Sequence, residues 1–498
     1  MSTLNSFLIA GLVLCSTISC ANPPKGANPI KPLVQAAPVE ASLLEQLIDA
    51  LNSANGAGLE AFVKEHASSA VPVADRVERM KGLVEQGAPF KIVKLLPAGP
   101  NELKAVVSDK NGMQLSFRVT LTTDAKIDRV AIAPADAGSS PTKNYSNWTT
   151  LQSLVDTIRA DIKTPAIGVA MIRSGKSELA ISGVRELGKP DAVTSDEPWS
   201  IGSIGKSICS TVIGRLIENG KLRWDETIAE ALPDLLMKEG YKGVTLEQLM
   251  HHRGGVPEDP GMRRSDVERI VAGATDPTIV RLNYAKNILS RDIIAKPGER
   301  FAYSNAGYTL LGVIAERATG KSYERLIHEL IFDPLGLKHS YTYVDKLPDS
   351  RPSGHVAGPD GLRAVNFDGP IEMMFAPAGG GLFMSLSDLA KFGEAHLKGL
   401  LGKDGLLKSE TIKRLHQGIA EDDPKGRQYA CGWGLEQFPG IELMHMHNGS
   451  NGTMRAQLSI FPESNLVVAS IMNAGGEGEP SPPLQAVLAV ASKFAKKP

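Results

Sequence analysis

A serine and a lysine three residues apart, Ser203 and Lys206, open a run of apolar residues from Ile208 to Leu216. The run follows the polar turn Thr194-Ser195-Asp196-Glu197-Pro198 and stops at Asn219-Gly220, the start and stop signals of a helix. Residues at i and i+3 share a helix face, so the hydroxyl and the ammonium are neighbours. A helix N-terminus disfavours a cation, so a lysine placed there tends to lose its proton or to lower a neighbour's pKa. Either effect helps make Ser203 a nucleophile. Taken alone, the stretch also fits an ordinary capped helix. Gly205-Lys206-Ser207 mimics the end of a phosphate loop too, but Ser200 stands where such a loop needs its first glycine.

Two further stretches carry matching chemistry. Tyr303-Ser304-Asn305 follows the turn at Pro297-Gly298 and precedes a helical pattern. A phenol near a lysine can accept a serine proton, and Asn305 can bridge a substrate carbonyl and the lysine. His447-Asn448-Gly449-Ser450 ends a strand pattern, and Gly449 allows close approach to the strand backbone. The backbone N–H groups of Ser203 and Ser450 are candidate oxyanion donors. Ala376-Pro377-Ala378-Gly379-Gly380-Gly381-Leu382 reads as structural support near the cleft.

In this order, Ser203-x-x-Lys206, Tyr303-Ser304-Asn305 and His447-Asn448-Gly449 resemble the three motifs of serine β-lactamases and penicillin-binding proteins. The tyrosine motif points to the class C branch, with family VIII carboxylesterases and D-aminopeptidases among its relatives. Gly183–Gly188, Leu249–Pro257 and Asp333-Pro334-Leu335-Gly336-Leu337 support the resemblance, which covers about residues 148 to 494. It implies an α+β fold, a mixed antiparallel sheet with flanking helices beside a helical subdomain, with the site between them. It implies a serine hydrolase with Ser203, Lys206 and Tyr303 as catalytic residues. Asn305, His447, Gly449 and Ser450 would serve substrate and oxyanion.

Two stretches depart from the class C pattern, one of them His252-Arg253-Gly254, where relatives often have Thr-Ser-Gly. Relatives usually carry Lys-Thr-Gly where this chain has His447-Asn448-Gly449. An imidazole holds a substrate carboxylate less well than an ammonium. The expected substrates are therefore small esters or D-amino-acid peptides. A β-lactamase or D,D-peptidase stays open, and so does a non-catalytic scaffold with this fold. Which of Tyr303 and Lys206 is the base stays open too.

The elements that must position these residues divide the chain. Residues 148–498 begin with a helix at Leu151–Ile162 and strands at Ala166–Ile172 and Glu178–Val184. Strands return at Cys431–Leu435, Glu442–His447, Arg455–Phe461 and Leu466–Met472, before a last helix over Pro483–Ala495. The sheet is thus expected from the two ends of this unit, with a helix-rich middle inserted. Residues 42–133 read as three helices followed by an antiparallel meander, a small α+β accessory domain that resembles NTF2-like or cystatin-like modules. Pro- and Ala-rich residues 22–41 and residues 134–147 read as linkers.

Residues 1–21 read as a signal peptide. Phe7–Cys15 forms its apolar core and small residues follow. In a lipoprotein reading Cys20 would carry the lipid and be the one membrane anchor. The expectation is an exported protein, periplasmic or secreted. A chain of 498 residues with 42% hydrophobic and 22% charged residues exceeds one core, and its net charge of −1 gives no reason to expect nucleic acid. Cys209 and Cys431 are the two cysteines beyond the leader, and they read as buried free thiols. His328-Glu329-Leu330-Ile331-Phe332 lacks the second histidine of a zincin, so neither metal nor cofactor is expected.

Overall fold

The computed structural model describes residues 38–496, apart from 54–55, 70–72, 97, 99–100, 136–144, 258–263, 273–274, 359, 366–370, 422–426 and 477–480. The leader 1–21 with Cys20, most of the first linker and the centre of the second lie outside the described residues. Helix α1 (Pro38–Asn52) begins inside the stretch read as the first linker.

Helices α1, α2 (Gly56–His66) and α3 (Val73–Gly87) precede a four-stranded antiparallel sheet, ordered β1-β2-β3-β4. Its strands are β1 (Lys91–Leu96), β2 (Glu102–Ser108), β3 (Gln114–Leu121) and β4 (Ile127–Pro134). Strand β2 alternates Leu103, Ala105 and Val107 inward with polar or half-exposed neighbours, the period of a sheet with one buried face. These join Leu47, Leu51, Val63 and Phe117 in a core of their own.

The second unit is built on helix α4 (Leu151–Ile162) and strands β5 (Ala166–Arg173) and β6 (Lys176–Gly183). Later come β12 (Ile419–Ala420), β13 (Gln428–Tyr429), β14 (Gly434–Glu436), β15 (Met444–Ser450), β16 (Arg455–Phe461) and β17 (Leu466–Met472). All eight form one antiparallel sheet, ordered β12-β13-β14-β15-β16-β17-β5-β6. The two chain ends meet at β17 and β5, where Ala469 faces Ala170.

The central strands are buried on both faces. Leu458, Ile460, Val467, Ala469, Ala170 and Ile172 point into one core, while Phe461, Leu466, Val468, Ile167, Val169 and Met171 point into another. A period of two thus divides each apolar strand between two layers. Helices α4 and a C-terminal helix (Pro482–Phe494) cover the second core. The first core continues into the helical middle, which includes α5 (Gly205–Glu218), α6 (Pro277–Leu289), α7 (Asn305–Thr319), α8 (Tyr323–Ile327), α9 (Leu386–Leu400) and α10 (Ser409–Leu415). The C-terminal helix is α11.

Within that middle, β7 (Trp199–Ser200), β8 (Ser340–Thr342) and β11 (Leu382–Met384) form a small sheet with β11 central. The stretch 345–377, which shows no clear pattern in sequence, contains a hairpin of β9 (Gly354–Gly358) and β10 (Gly361–Val365) and a short helix at Ile371–Phe375. Gln114 Nε2 of β3 donates to Gly358 O at 3.2 Å, joining the four-stranded sheet β1-β2-β3-β4 to this hairpin. No helix among the described residues is long and apolar enough to cross a membrane.

Candidate active site

Ser203 sits on a 3-10 turn, Gly202–Ile204, wedged between β7 and α5. Strand β7 is held by β11, where Ser200 faces Phe383. The turn is crossed by two other backbones at distances that exclude a side chain. A Cβ on Gly449 would lie 1.9 Å from Ile201 O, and one on Gly202 would lie 2.4 Å from Ser450 N. A Cβ on Gly379 would lie 1.9 Å from Gly202 O. Gly202 and Gly379 also take positive φ, +50 and +110, where L side chains are strained. The three glycines let β15 and the 376–382 segment dock on the turn. The main chains of Ser203 and Ser450, the two expected oxyanion donors, are brought together by that approach.

Lys206 is fully buried on the first turn of α5. Its Nζ lies 3.1 Å from Ser203 Oγ and donates to Asn305 Oδ1 at 2.7 Å and to Ala378 O at 2.9 Å. The same Nζ stands 4.7 Å from the Tyr303 ring centroid and 5.8 Å from that of Tyr308, within cation–π range. Three neutral oxygens and two aromatic faces therefore surround one amine. Both protonation states fit the Ser203 contact. An ammonium donates to Oγ, and a neutral amine accepts the hydroxyl proton.

Tyr303 and Asn305 reach the lysine from a loop that ends at the cap of α7. Ser304 is that cap, its Oγ accepting from Gly307 N at 3.0 Å and donating to Pro257 O at 2.8 Å. Asn305 is the first helical residue, so the helix start aims its side chain at Lys206. The segment 251–257 clamps the loop from the other side. Ala302 N donates to His252 O at 2.8 Å, and Ser304 N donates to His252 Nδ1 at 3.0 Å. Tyr303 is 8% exposed.

His447 lies in the interior of β15, facing Leu458 of β16, and the strand runs on to Ser450 rather than ending at the histidine. Its Nδ1 faces Asn448 O at 2.6 Å and so carries the proton. Its Nε2 then accepts from the Tyr429 hydroxyl at 3.0 Å. Burial, with the nearby Lys206 charge, pushes the His447 pKa down to about 3. The third motif thus presents a neutral imidazole with both nitrogens engaged. Such a group offers a substrate carboxylate no positive charge.

The structure brings Ser203, Lys206, Tyr303, Asn305 and the Gly449–Ser450 backbone into one place. Sequence reasoning missed three contributors. Ala378 O anchors Lys206, although its glycine-flanked segment reads in sequence only as support. Tyr429 fixes the His447 tautomer from a two-residue strand with no pattern of its own. His252 holds Ser304 from a stretch whose sequence signals only the resemblance. Among the described residues no group of three or more His, Cys, Asp or Glu side chains could hold a metal ion. Cys209 and Cys431 are both buried and free, and burial pushes the Cys209 thiol up to about 12.

Comparison with known proteins matches these elements to one family. The Beta-lactamase family profile matches residues 151–492. The chain is 26% identical to penicillin-binding protein 4 of Amycolatopsis lactamdurans over 345 residues, 67% of this chain and 86% of that protein. The structure of an octameric penicillin-binding protein homologue from Pyrococcus abyssi superposes with a TM-score of 0.58 at 27% identity, covering 70% of this chain and 77% of that one. The D-amino acid amidase of Ochrobactrum anthropi SV3 shares the fold, with a TM-score of 0.57 at 22% identity over 69% of this chain and 98% of that one.

Proposed function

The chain belongs to the beta-lactamase family and is a serine hydrolase, and from that premise we propose that it works through an acyl-enzyme on small esters or D-amino-acid peptides. The observation that carries the reading is the buried Lys206 Nζ, 3.1 Å from Ser203 Oγ and 4.7 Å from the Tyr303 ring. Ser203 Oγ attacks the carbonyl carbon, and its proton passes to Tyr303 or Lys206. The N–H groups of Ser203 and Ser450 hold the oxyanion. The same proton goes to the leaving group as the carbon–heteroatom bond breaks. Water then enters by the reverse sequence and releases the acid. Asn305 keeps Lys206 aimed at Ser203 and is placed to meet the substrate carbonyl.

The neutral His447 favours uncharged leaving groups over those ending in a carboxylate. The fold shared with a D-amino acid amidase fits that preference. The leader sequence supports export, either as a soluble protein or anchored through Cys20.

The test is a panel on the purified protein: a short p-nitrophenyl ester, a D-amino-acid peptide and a chromogenic cephalosporin. Ester or D-peptide turnover that falls at least ~1,000-fold in Ser203→Ala is expected. Rapid cephalosporin turnover with no ester or D-peptide activity would sink the substrate reading. Unchanged hydrolysis in Ser203→Ala would sink the nucleophile.

A further inference from the structure

His252 occupies an unusual place for a histidine. Its φ is +57, a conformation that costs a non-glycine residue energy. It is 2% exposed, and its ring is boxed by Tyr303 at 4.2 Å, Tyr429 at 4.8 Å, Tyr308 at 5.0 Å and Phe301 at 5.7 Å between centroids. Its backbone is tied at both ends, N–H to Leu249 O and C=O to Ala302 N. Its Nδ1 accepts from Ser304 N, an amide that can only donate, so the proton of the ring sits on Nε2. That Nε2 is buried and has no hydrogen-bond partner among the described residues. A strained, buried polar ring with a donor left over needs a reason beyond packing.

The contacts supply one. Residues on either side of Tyr303 both hang on His252: Ala302 N on its carbonyl and Ser304 N on its Nδ1. The ring of Tyr303 itself packs against the imidazole face. One residue thus fixes the backbone before and after the phenol and the plane of the phenol. We propose that His252 is the positioning residue of Tyr303, holding the phenol against Lys206 through a fixed Nε2–H tautomer. The proposal rests on reading Tyr303 as part of the proton relay. Protonation at Nδ1 would remove the acceptor for Ser304 N and release the loop. The charged and titratable groups facing the ring are Lys206 on α5, His447 on β15, Tyr429 on β13, Tyr308 on α7, Tyr303 on its loop and the adjacent His251. Burial acts against that protonation, and so does the Lys206 charge.

The test is a mutant cycle on the full chain. His252→Asn keeps an oxygen near the Nδ1 position and tolerates positive φ, so its kcat should stay within ~5-fold of the parent. His252→Leu keeps the bulk and loses the acceptor, so its kcat should fall ~100-fold with KM changed less than ~3-fold, the cost of a misplaced catalytic group. If the leucine variant does not fold, His252→Gly, which suits the backbone angle, takes its place. On a Tyr303→Phe background the same substitution should cost nothing more. A loss that multiplies on that background, or an asparagine variant as poor as leucine, overturns the proposal while leaving Tyr303 in its role. A Tyr303→Phe enzyme as active as the parent instead overturns the reading of Tyr303, and the positioning role with it. Nitrogen-15 NMR of the His252 ring gives a separate readout. An Nε2–H pattern constant from pH 5.5 to 8.5 is expected, and an Nδ1–H or titrating ring would overturn the tautomer.

Discussion

Acid should unfold this protein through its buried histidines. Thr211 on α5 donates its hydroxyl to Ser207 O at 2.7 Å and so accepts from His396 Nε2 at 3.0 Å. His396 Nδ1 then accepts from His416 Nε2 at 3.0 Å, and His416 Nδ1 accepts from His445 Nδ1 at 3.1 Å. Every ring in this chain is neutral with one assigned tautomer; a proton added to His396 Nδ1 or His416 Nδ1 breaks a link, and one added to His445 puts a charge in a buried site. Burial pushes His396 down to about 3 and His445 down to about 4, and His447 in the site also lies at about 3. A histidine whose folded pKa lies below its unfolded value of 6.5 binds its proton first in the unfolded chain. Its contribution is therefore complete above pH 6.5 and is lost as pH falls toward the folded value. At pH 5 each of the three costs about 2 kcal/mol relative to pH 8, together roughly 6 kcal/mol. That rivals the whole stability of an ordinary domain, about 5–15 kcal/mol. His416 and His252 are lowered by burial too and add in the same direction. His328, half-buried against Asp345, is raised and offsets a part. The assay is urea unfolding followed by tryptophan fluorescence from pH 8 to pH 5. His445→Gln should reduce the pH-dependent loss by about 2 kcal/mol, one histidine's share. A free energy flat within ~1 kcal/mol over that range, or an unchanged slope in His445→Gln, would refute the argument.

Two more outcomes follow from the geometry. Arg281 is fully buried between Glu316 and Glu324, with its Nη1 also on Met373 O at 2.9 Å. Arg281→Ala strands two buried carboxylates and should cost ~3–5 kcal/mol in the same urea titration, with the helical middle loosening first. Gly449→Ala forces a Cβ against Ile201 O and moves the Ser203 turn away from β15. Its kcat should fall about 100-fold with KM nearly unchanged, and parent-like kinetics would mean that the close approach does not hold the site.

The sheet was legible because its central strands are seven-residue stretches, one alternating and one a nearly continuous apolar run, on either side of the turn at Pro462–Ser464. Arg455–Phe461 and Leu466–Met472 match in sequence and structure residue for residue. Helix ends were legible where a cap marks them, as at Leu151, where Thr150 and Ser153 form a capping box. The Ser203, Tyr303 and His447 stretches stand out because each joins a reactive side chain to a turn or a glycine. The hairpin at 354–365 was not legible. Its strands are five residues each, and Gly354–Gly358 is buried throughout, which removes the alternation. The histidine chain was illegible for another reason. Its members stand 20 to 185 residues from their partners, and a single histidine has no spacing that announces a neighbour across the fold.

The same distinction explains why the site could be read in sequence while its charge could not. The motifs specify which side chains meet. They do not specify protonation, which depends on second partners such as Ala378 O, Tyr429 and Ser304 N. Those partners are mostly backbone groups, present at every position and invisible in a motif. They leave His447 neutral and Lys206 among neutral oxygens, so the amine next to Ser203 Oγ is the group whose charge state governs the site. An anionic substrate end would draw that amine away from Ser203. An uncharged one leaves it in place. The proposed selectivity for neutral esters and amides would thus be tied to the activation of the nucleophile, because both would depend on where one buried amine points.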